Sequence, residues 1–242
     1  AIKVLAENWA ARADVRERFI AEARLLRRVD ADGIVRVYDI GELADGRPWF
    51  AMTYADRCSR GERLPRRGGD AAALDILEQV AVALARLHSR GIVHRDVTPG
   101  NILFVSDPDD ASGERVLLAD LGLAKDVSFA SGLTEPAGTG RYRAPEQRAY
   151  GSDIGPATDV YAVAMVAQDL LGEDPRTRDL LGPALVTDPA VRLSDPRDLM
   201  ARLREAEFVP GPTEETSAAS LAAPARQGRG WPAVGVRNRP RR

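Results

Sequence analysis

Ala1 to Leu5 alternates as a short strand, and Phe19, Ala23 and Leu26 then recur at helical spacing in a helix expected from about Ala11 to Val29. Glu22 shares that apolar face. A carboxylate among apolar neighbours needs a cation, because an unpaired buried charge costs several kcal/mol. Asp30-Ala31-Asp32-Gly33 ends the helix, after which Ile34 to Ile40 and Pro48 to Tyr54 read as two strands joined by a turn at Ala44-Asp45-Gly46. A first lobe over residues 1–54 follows from this pattern.

The polar, arginine- and glycine-rich run from Arg57 to Asp70 reads as a connector. Ala71 to Arg90 predicts a strong helix, with Leu74, Leu77, Ala81, Leu84 and His88 on one stripe and Gly91 placed to terminate it. Short strands are expected at Ile92-Val93, Ile102 to Val105 and Val116 to Ala119, with an exposed loop at Ser106 to Gly113. Val160 to Leu171 is apolar nearly all round, which predicts a helix buried in a second lobe spanning 55–207. Helical patterning continues at Arg176 to Leu181 and Asp195 to Glu207. From about residue 208, repeated Pro, Gly, Ala, Ser and Arg leave too little apolar surface to offset ordering entropy, so 208–242 reads as a flexible tail.

Composition narrows the classes. Of 242 residues, 44% are hydrophobic and 29% charged, as in a globular chain, and no run approaches the ~18 apolar residues of a membrane span. Cys58 is the single cysteine, which excludes a disulfide framework and a four-cysteine zinc site and predicts a reducing, cytoplasmic setting. No secretory signal is visible, and because the chain opens inside a strand it reads as a fragment of something longer. The net charge of −2 conceals a basic end: six arginines against Glu214 and Glu215 give 211–242 a balance of +4 and leave −6 for the rest. Those arginines have only Trp231 among them as an aromatic, so a solvated linker is expected rather than a nucleic-acid contact. Only Lys3 and Lys125 are lysines among 34 basic residues. Where charge alone matters arginine serves, whereas a tight site takes a compact ammonium.

The most specific stretch is His94-Arg95-Asp96-Val97-Thr98-Pro99-Gly100-Asn101, followed by Asp120-Leu121-Gly122 and then Ala144-Pro145-Glu146. In this order, behind the lysine of Ala1-Ile2-Lys3, these signatures match the protein-kinase set. Over about residues 1–205 the chain resembles the eukaryotic-type Ser/Thr protein kinases, with an Ala- and Arg-rich composition like that of bacterial members. The resemblance implies an α+β, two-lobed kinase fold with a truncated small antiparallel-sheet N-lobe carrying one helix and a mostly helical C-lobe.

It also implies ATP and Mg²⁺ as cofactors and a protein bearing Ser or Thr hydroxyls as substrate. Lys3 would clasp the α- and β-phosphates and pair with Glu22, which answers the carboxylate on an apolar face. Asp96 would orient the acceptor hydroxyl, while Asn101 and Asp120 would hold magnesium through hard oxygens. Ala1 and Leu103 would flank adenine, Met52 would guard the pocket, and the Thr53 carbonyl and Ala55 amide would bond the base. Leu26, Val37, His94 and Leu121 would stack between the lobes, His94 being structural. Arg95 would receive a phosphate from an activation loop between Asp120 and Glu146, with Ser128, Ser131 and Thr134 as candidate acceptors. Thr139 would bond near Asp96, Glu146 would pair with Arg192, and Asp159 would anchor the backbone near His94.

Three departures stand out. No glycine-rich phosphate loop precedes Lys3. Thr98 stands where these kinases carry a lysine beside the γ-phosphate. Asp159 and Arg192 lie only 33 positions apart, so the helix after the central one, part of the substrate-docking surface, is expected to be reduced or absent. The leading expectation is a Ser/Thr kinase domain. The alternative is a pseudokinase that binds nucleotide or partners with little catalysis. Oligomeric state has no signature in the sequence.

Overall fold

The computed structural model describes residues 1–59, 61, 70–110, 112–122, 139–148, 154–172 and 175–206. Packing separates Ala1–Phe208 from a second unit, Val209–Arg242, which lies outside the described residues. The expected tail and most of the expected connector lie outside them as well.

Strands β1 (Ile2–Val4), β2 (Val37–Glu42) and β3 (Pro48–Met52) form an antiparallel sheet in the order β1-β3-β2, with Lys3 opposite Phe50. Period-two alternation turns Lys3 and Phe50 inward and leaves Ile2 and Val4 outside. Behind the sheet runs α2 (Ala13–Val29), preceded by the single turn α1 (Glu7–Ala10). One continuous start near Ala11 was expected. Instead Ala11 stays helical and the Arg12 backbone turns extended, its amide bonded to the Trp9 carbonyl, before a new helix begins at Ala13. Phe19 of α2 meets Phe50 with ring centroids 5.0 Å apart.

Ile34 does not join β2 as its alternation suggested. It bridges Leu118 of the other lobe, flanked by bonds from the Val35 amide to the Leu118 carbonyl and from the Leu118 amide to the Gly33 carbonyl. The helix end of the first lobe is thereby tied to the strand that leads into Asp120.

The second lobe is built on α3 (Asp70–His88), α4 (Pro156–Leu171), α5 (Pro175–Leu181) and α6 (Pro196–Glu205). Gly91 follows α3 in the left-handed region at φ 71°, and its amide caps the His88 carbonyl. Leu77, Leu84, Leu87, Val160, Val163, Leu199 and Leu203 are fully buried between these helices. Each such leucine contributes roughly 1.5–3 kcal/mol. Between α4 and α6 the described residues hold only α5 and the turn Gly182–Ala184, in keeping with the short Asp159-to-Arg192 span. Strands β4 (Ile102–Ser106) and β5 (Glu114–Leu118) form a two-stranded hairpin beneath the first lobe. Ile92-Val93 is not a strand: the Ile92 amide closes onto Leu87, and the segment runs on into the His94 bend without a ladder partner.

Candidate active site

Lys3 lies between two carboxylates and an aromatic ring. Its Nζ is 2.8 Å from Asp120 Oδ1, 3.4 Å from Glu22 Oε1 and 5.5 Å from the Phe50 ring centroid. Burial disfavours the ammonium, but Asp120 and Glu22 more than compensate and hold the lysine pKa above its usual value. Burial raises the Glu22 pKa to about 7, because Lys3 only partly offsets desolvation while Asp120 and Asp96 add like charge.

The next group is the His94–Asp96 bend. Arg95 at φ 67° and Asp120 at φ 59° are left-handed, a conformation that costs non-glycine residues of order 1–3 kcal/mol and persists only where surroundings enforce it. Asp159, fully buried in the first turn of α4, supplies much of that enforcement: Oδ2 accepts from the His94 amide at 2.8 Å and Oδ1 from the Arg95 amide at 2.7 Å. Its Oδ2 also lies 2.8 Å from His88 Nε2 on α3. The Gly122 amide donates to the His94 carbonyl at 2.8 Å. A Cβ on Gly122 would lie 3.1 Å from Arg95 Cβ and 3.2 Å from Asp96 Cβ, so any larger residue would have to push the two loops apart by a few tenths of an ångström. Asn101 Nδ2 donates to the Asp96 carbonyl at 2.8 Å and to its Oδ2 at 2.6 Å. His94 is fully buried, and desolvation lowers its pKa against the pull of Asp159, Asp96 and Asp120. It is therefore kept neutral.

Around the interlobe strand, Met52, Ala55 and Leu103 pack against a small cluster of Val35, Val105, Leu117 and Ala119. Ala1 exchanges backbone bonds with Met52, at 2.6 Å and 2.8 Å. The Thr53 amide is taken by the Arg36 carbonyl, whereas the Thr53 carbonyl and Ala55 amide make no hydrogen bond among the described residues. Leu26, Val37 and Leu121 are buried in one core, and His94 is buried beside it.

Glu146 forms a buried fork with Arg192, at 2.7 Å and 2.9 Å, and accepts the Thr158 hydroxyl at 2.9 Å. Burial alone would raise its pKa, but Arg192, Thr158 and its own backbone bring the net shift downward. Ser128, Ser131 and Thr134 lie outside the described residues; Thr139 opens the turn Thr139–Tyr142. Thr98 is buried next to Pro99.

The structure thus gathers Lys3, Glu22 and Asp120 in one ion cluster and Asp96 with Asn101 in one hydrogen-bonded pair, the two joined through Gly122 and His94. Sequence reading missed the His88–Asp159 pair, the contact of Gly122, and Gln147, whose side chain bridges the Arg95 carbonyl and the Ala144 amide. It also missed Asp169, which accepts from Tyr142 at 2.5 Å and pairs with Arg141 at 2.6 Å. Of these, Gln147 had a signal, standing directly after Ala144-Pro145-Glu146.

The donor set suits a hard divalent cation. Asn101 commits its nitrogen to Asp96 and keeps Oδ1, and Asp120 commits one oxygen to Lys3 and keeps the other. Among the described residues no three His, Cys, Asp or Glu side chains cluster as a closed metal cage. An open pair of oxygens is what magnesium shared with phosphates requires.

Fold and motif geometry together define the protein kinase class. Residues 1–182 match the protein kinase domain, and the chain belongs to that family. It is 30% identical to the serine/threonine-protein kinase drp72 of Corynebacterium efficiens, across 93% of this chain and 49% of that protein. It is 32% identical to serine/threonine-protein kinase PknA of Mycobacterium tuberculosis, across 93% of this chain and 59% of the relative. With PknI of the same organism the identity is 36%, across 76% and 29%. The chain therefore spans about half the length, or less, of most of these relatives. A crystal structure of the M. tuberculosis PknI kinase domain superposes with a TM-score of 0.66 at 30% identity, covering 86% of this chain and 85% of that one. Among the described residues no helix is long and apolar enough to cross a membrane.

Proposed function

We propose that this domain transfers the γ-phosphoryl group of ATP to Ser or Thr hydroxyls of a protein substrate. The observation that carries the reading is the Lys3–Asp120–Glu22 cluster joined, through the Gly122-to-His94 bond, to the Asp96–Asn101 pair. Phosphoryl transfer needs positioned cations and aligned oxygens far more than covalent chemistry. Lys3 would leave Asp120 for the α- and β-phosphates while staying tethered by Glu22. Ala1 and Leu103 would flank adenine beside Met52, with the Thr53 carbonyl and Ala55 amide as its backbone partners. Asn101 Oδ1 and the second Asp120 oxygen would hold magnesium, which when bound supplies positive charge to the β- and γ-phosphate oxygens. Asp96 orients the acceptor hydroxyl and takes its proton as the oxygen–phosphorus bond forms and the bond to the β-phosphate oxygen breaks.

Regulation by phosphate on Ser128, Ser131 or Thr134, read by Arg95, belongs to the same proposal, as do residues 1–54 and 55–207 as its two lobes. A reaction that consumes ATP places the domain on the cytoplasmic side of the cell, where that nucleotide is made. The test is transfer of labelled phosphate from Mg·ATP to a generic basic protein, with Asp96→Asn as control. Phosphoserine or phosphothreonine is expected at a rate about 10² to 10⁴ times that of the control. Equal rates for the two proteins overturn the reading and leave a module that binds without catalysing.

A further inference from the structure

Every backbone polar group of the His94–Asp96 bend has a partner, and the partners come from five places. Asp159 takes the amides of His94 and Arg95, the Gly122 amide takes the His94 carbonyl, and Asn101 takes the Asp96 carbonyl. The Asp96 amide reaches His94 Nδ1, a long contact at 3.4 Å. The remaining group, the Arg95 carbonyl, accepts from Gln147 Nε2 at 2.8 Å. Gln147 Oε1 meanwhile accepts from the Ala144 amide at 3.0 Å. One side-chain amide, half-buried in the turn Pro145–Arg148, therefore spans from the segment after the 123–138 stretch to the peptide that immediately precedes Asp96.

The geometry points to Gln147 as a positioning residue that couples the seating of the Thr139–Arg148 segment to the aim of Asp96. A left-handed Arg95 is held by hydrogen bonds on both of its peptide groups, one from the core helix α4 and one from Gln147. The first comes from Asp159, fully buried in the first turn of α4. The Gln147 bond forms only when the 139–148 segment is seated. Losing it frees the Arg95–Asp96 peptide to rotate, which moves the Asp96 carboxylate without touching Lys3, Asp120 or the adenine contacts. The consequence falls on the chemical step and spares nucleotide binding.

This inference rests on Asp96 acting on the acceptor hydroxyl, so its test carries a readout that does not depend on turnover. Gln147→Met keeps the side-chain shape and deletes both bonds; Gln147→Glu keeps an acceptor for the Ala144 amide and deletes the donor to Arg95. In the full chain, both variants are expected to lower kcat about tenfold or more while the ATP KM stays within about twofold. In both, hydrogen exchange at the peptide containing His94–Asp96 should quicken at least about tenfold while α3 peptides keep their protection. Wild-type kcat in both variants overturns the inference, as does a loss that appears mainly in the ATP KM. A normal rate in Gln147→Glu alone also overturns it, by assigning the effect to Ala144. If the wild type is no faster than Asp96→Asn, the catalytic reading fails by itself, and unchanged exchange at the bend then decides against Gln147. Should Gln147→Met unfold as a whole, Gln147→Glu decides alone, because its retained bond keeps the segment seated.

Discussion

Two buried glutamates, each facing one cation, behave in opposite ways. Glu22 in the first lobe is pushed up to about 7, whereas Glu146 in the second is held below its ordinary value. Both expose little surface, but Glu22 lies deeper within the protein than Glu146, so burial is part of the difference. The rest lies in what surrounds the charge. Glu146 has a planar fork at 2.7 Å and 2.9 Å and a hydroxyl, and Arg192 is itself tied to the Val186, Thr187 and Ala157 carbonyls. Glu22 has one ammonium at 3.4 Å, which lies closer to Asp120, with further negative charge from Asp96. The saturated pair is architecture. The unsaturated one is a place where a cation is short, and that shortage is what a site for magnesium and a basic contact to phosphate would present.

The sharpest break of this comparison is Arg192→Met. Removing one partner of a buried, fully hydrogen-bonded pair leaves Glu146 uncompensated together with the carbonyls Arg192 serves, at a cost of about 3–5 kcal/mol. Chemical denaturation should show that loss as a lower midpoint with an unchanged slope. A loss below about 1 kcal/mol would mean that the two glutamates differ less than their geometry indicates.

The half of the comparison that concerns the site was more legible in sequence than the half that concerns the scaffold. Asp96, Asn101 and Asp120 stand at fixed short spacings, and Lys3 is conspicuous in a chain with only two lysines. Glu22 betrayed itself by lying on an apolar stripe. What holds those residues was far less visible, because side chain to backbone bonds leave no periodicity: His88 looked like one more member of a helix face, and Gln147 like the end of a motif. Strand reading failed at Ile34 and at Ile92-Val93 for a related reason. Alternation is local, whereas Ile34 finds its partner 84 positions on at Leu118, and the amides after Val93 are taken by Asp159 rather than by a ladder. The separate turn Glu7–Ala10 escaped because four residues are too few to display a helical period.

A pH titration sharpens the comparison from the side of Glu22. Its folded pKa of about 7 lies above the ordinary 4.5, so the native state holds the proton more tightly. The stability this confers is fully present below about 4.5 and is lost as pH rises through 7. Against Glu22→Gln, which cannot ionise, the wild type should therefore lose up to about 3 kcal/mol between pH 4.5 and 8. Denaturation midpoints of the two proteins across that range test it. Parallel curves would show that Lys3 neutralises Glu22 as completely as Arg192 neutralises Glu146.

The smallest expected effect tests whether the site is short of positive charge. Thr98 is two residues from Asp96, and its hydroxyl supplies at most a neutral hydrogen bond, roughly half the strength of a charge-assisted one. Thr98→Lys places an ammonium beside a cluster in which Glu22, Asp96 and Asp120 outnumber Lys3. Two linked changes should follow: phosphoryl transfer by the full-length protein rises about tenfold, and the pH at which Glu22 titrates falls, since added positive charge favours its carboxylate. Both are measurable on one sample, by initial rates and by the wild-type-minus-Gln stability difference repeated in the Thr98→Lys background. A faster enzyme with an unmoved Glu22 would place the new charge on the γ-phosphate side alone. An unchanged rate would mean that the cation shortage around Glu22 is confined to the Lys3 side of the cleft and does not limit the chemical step.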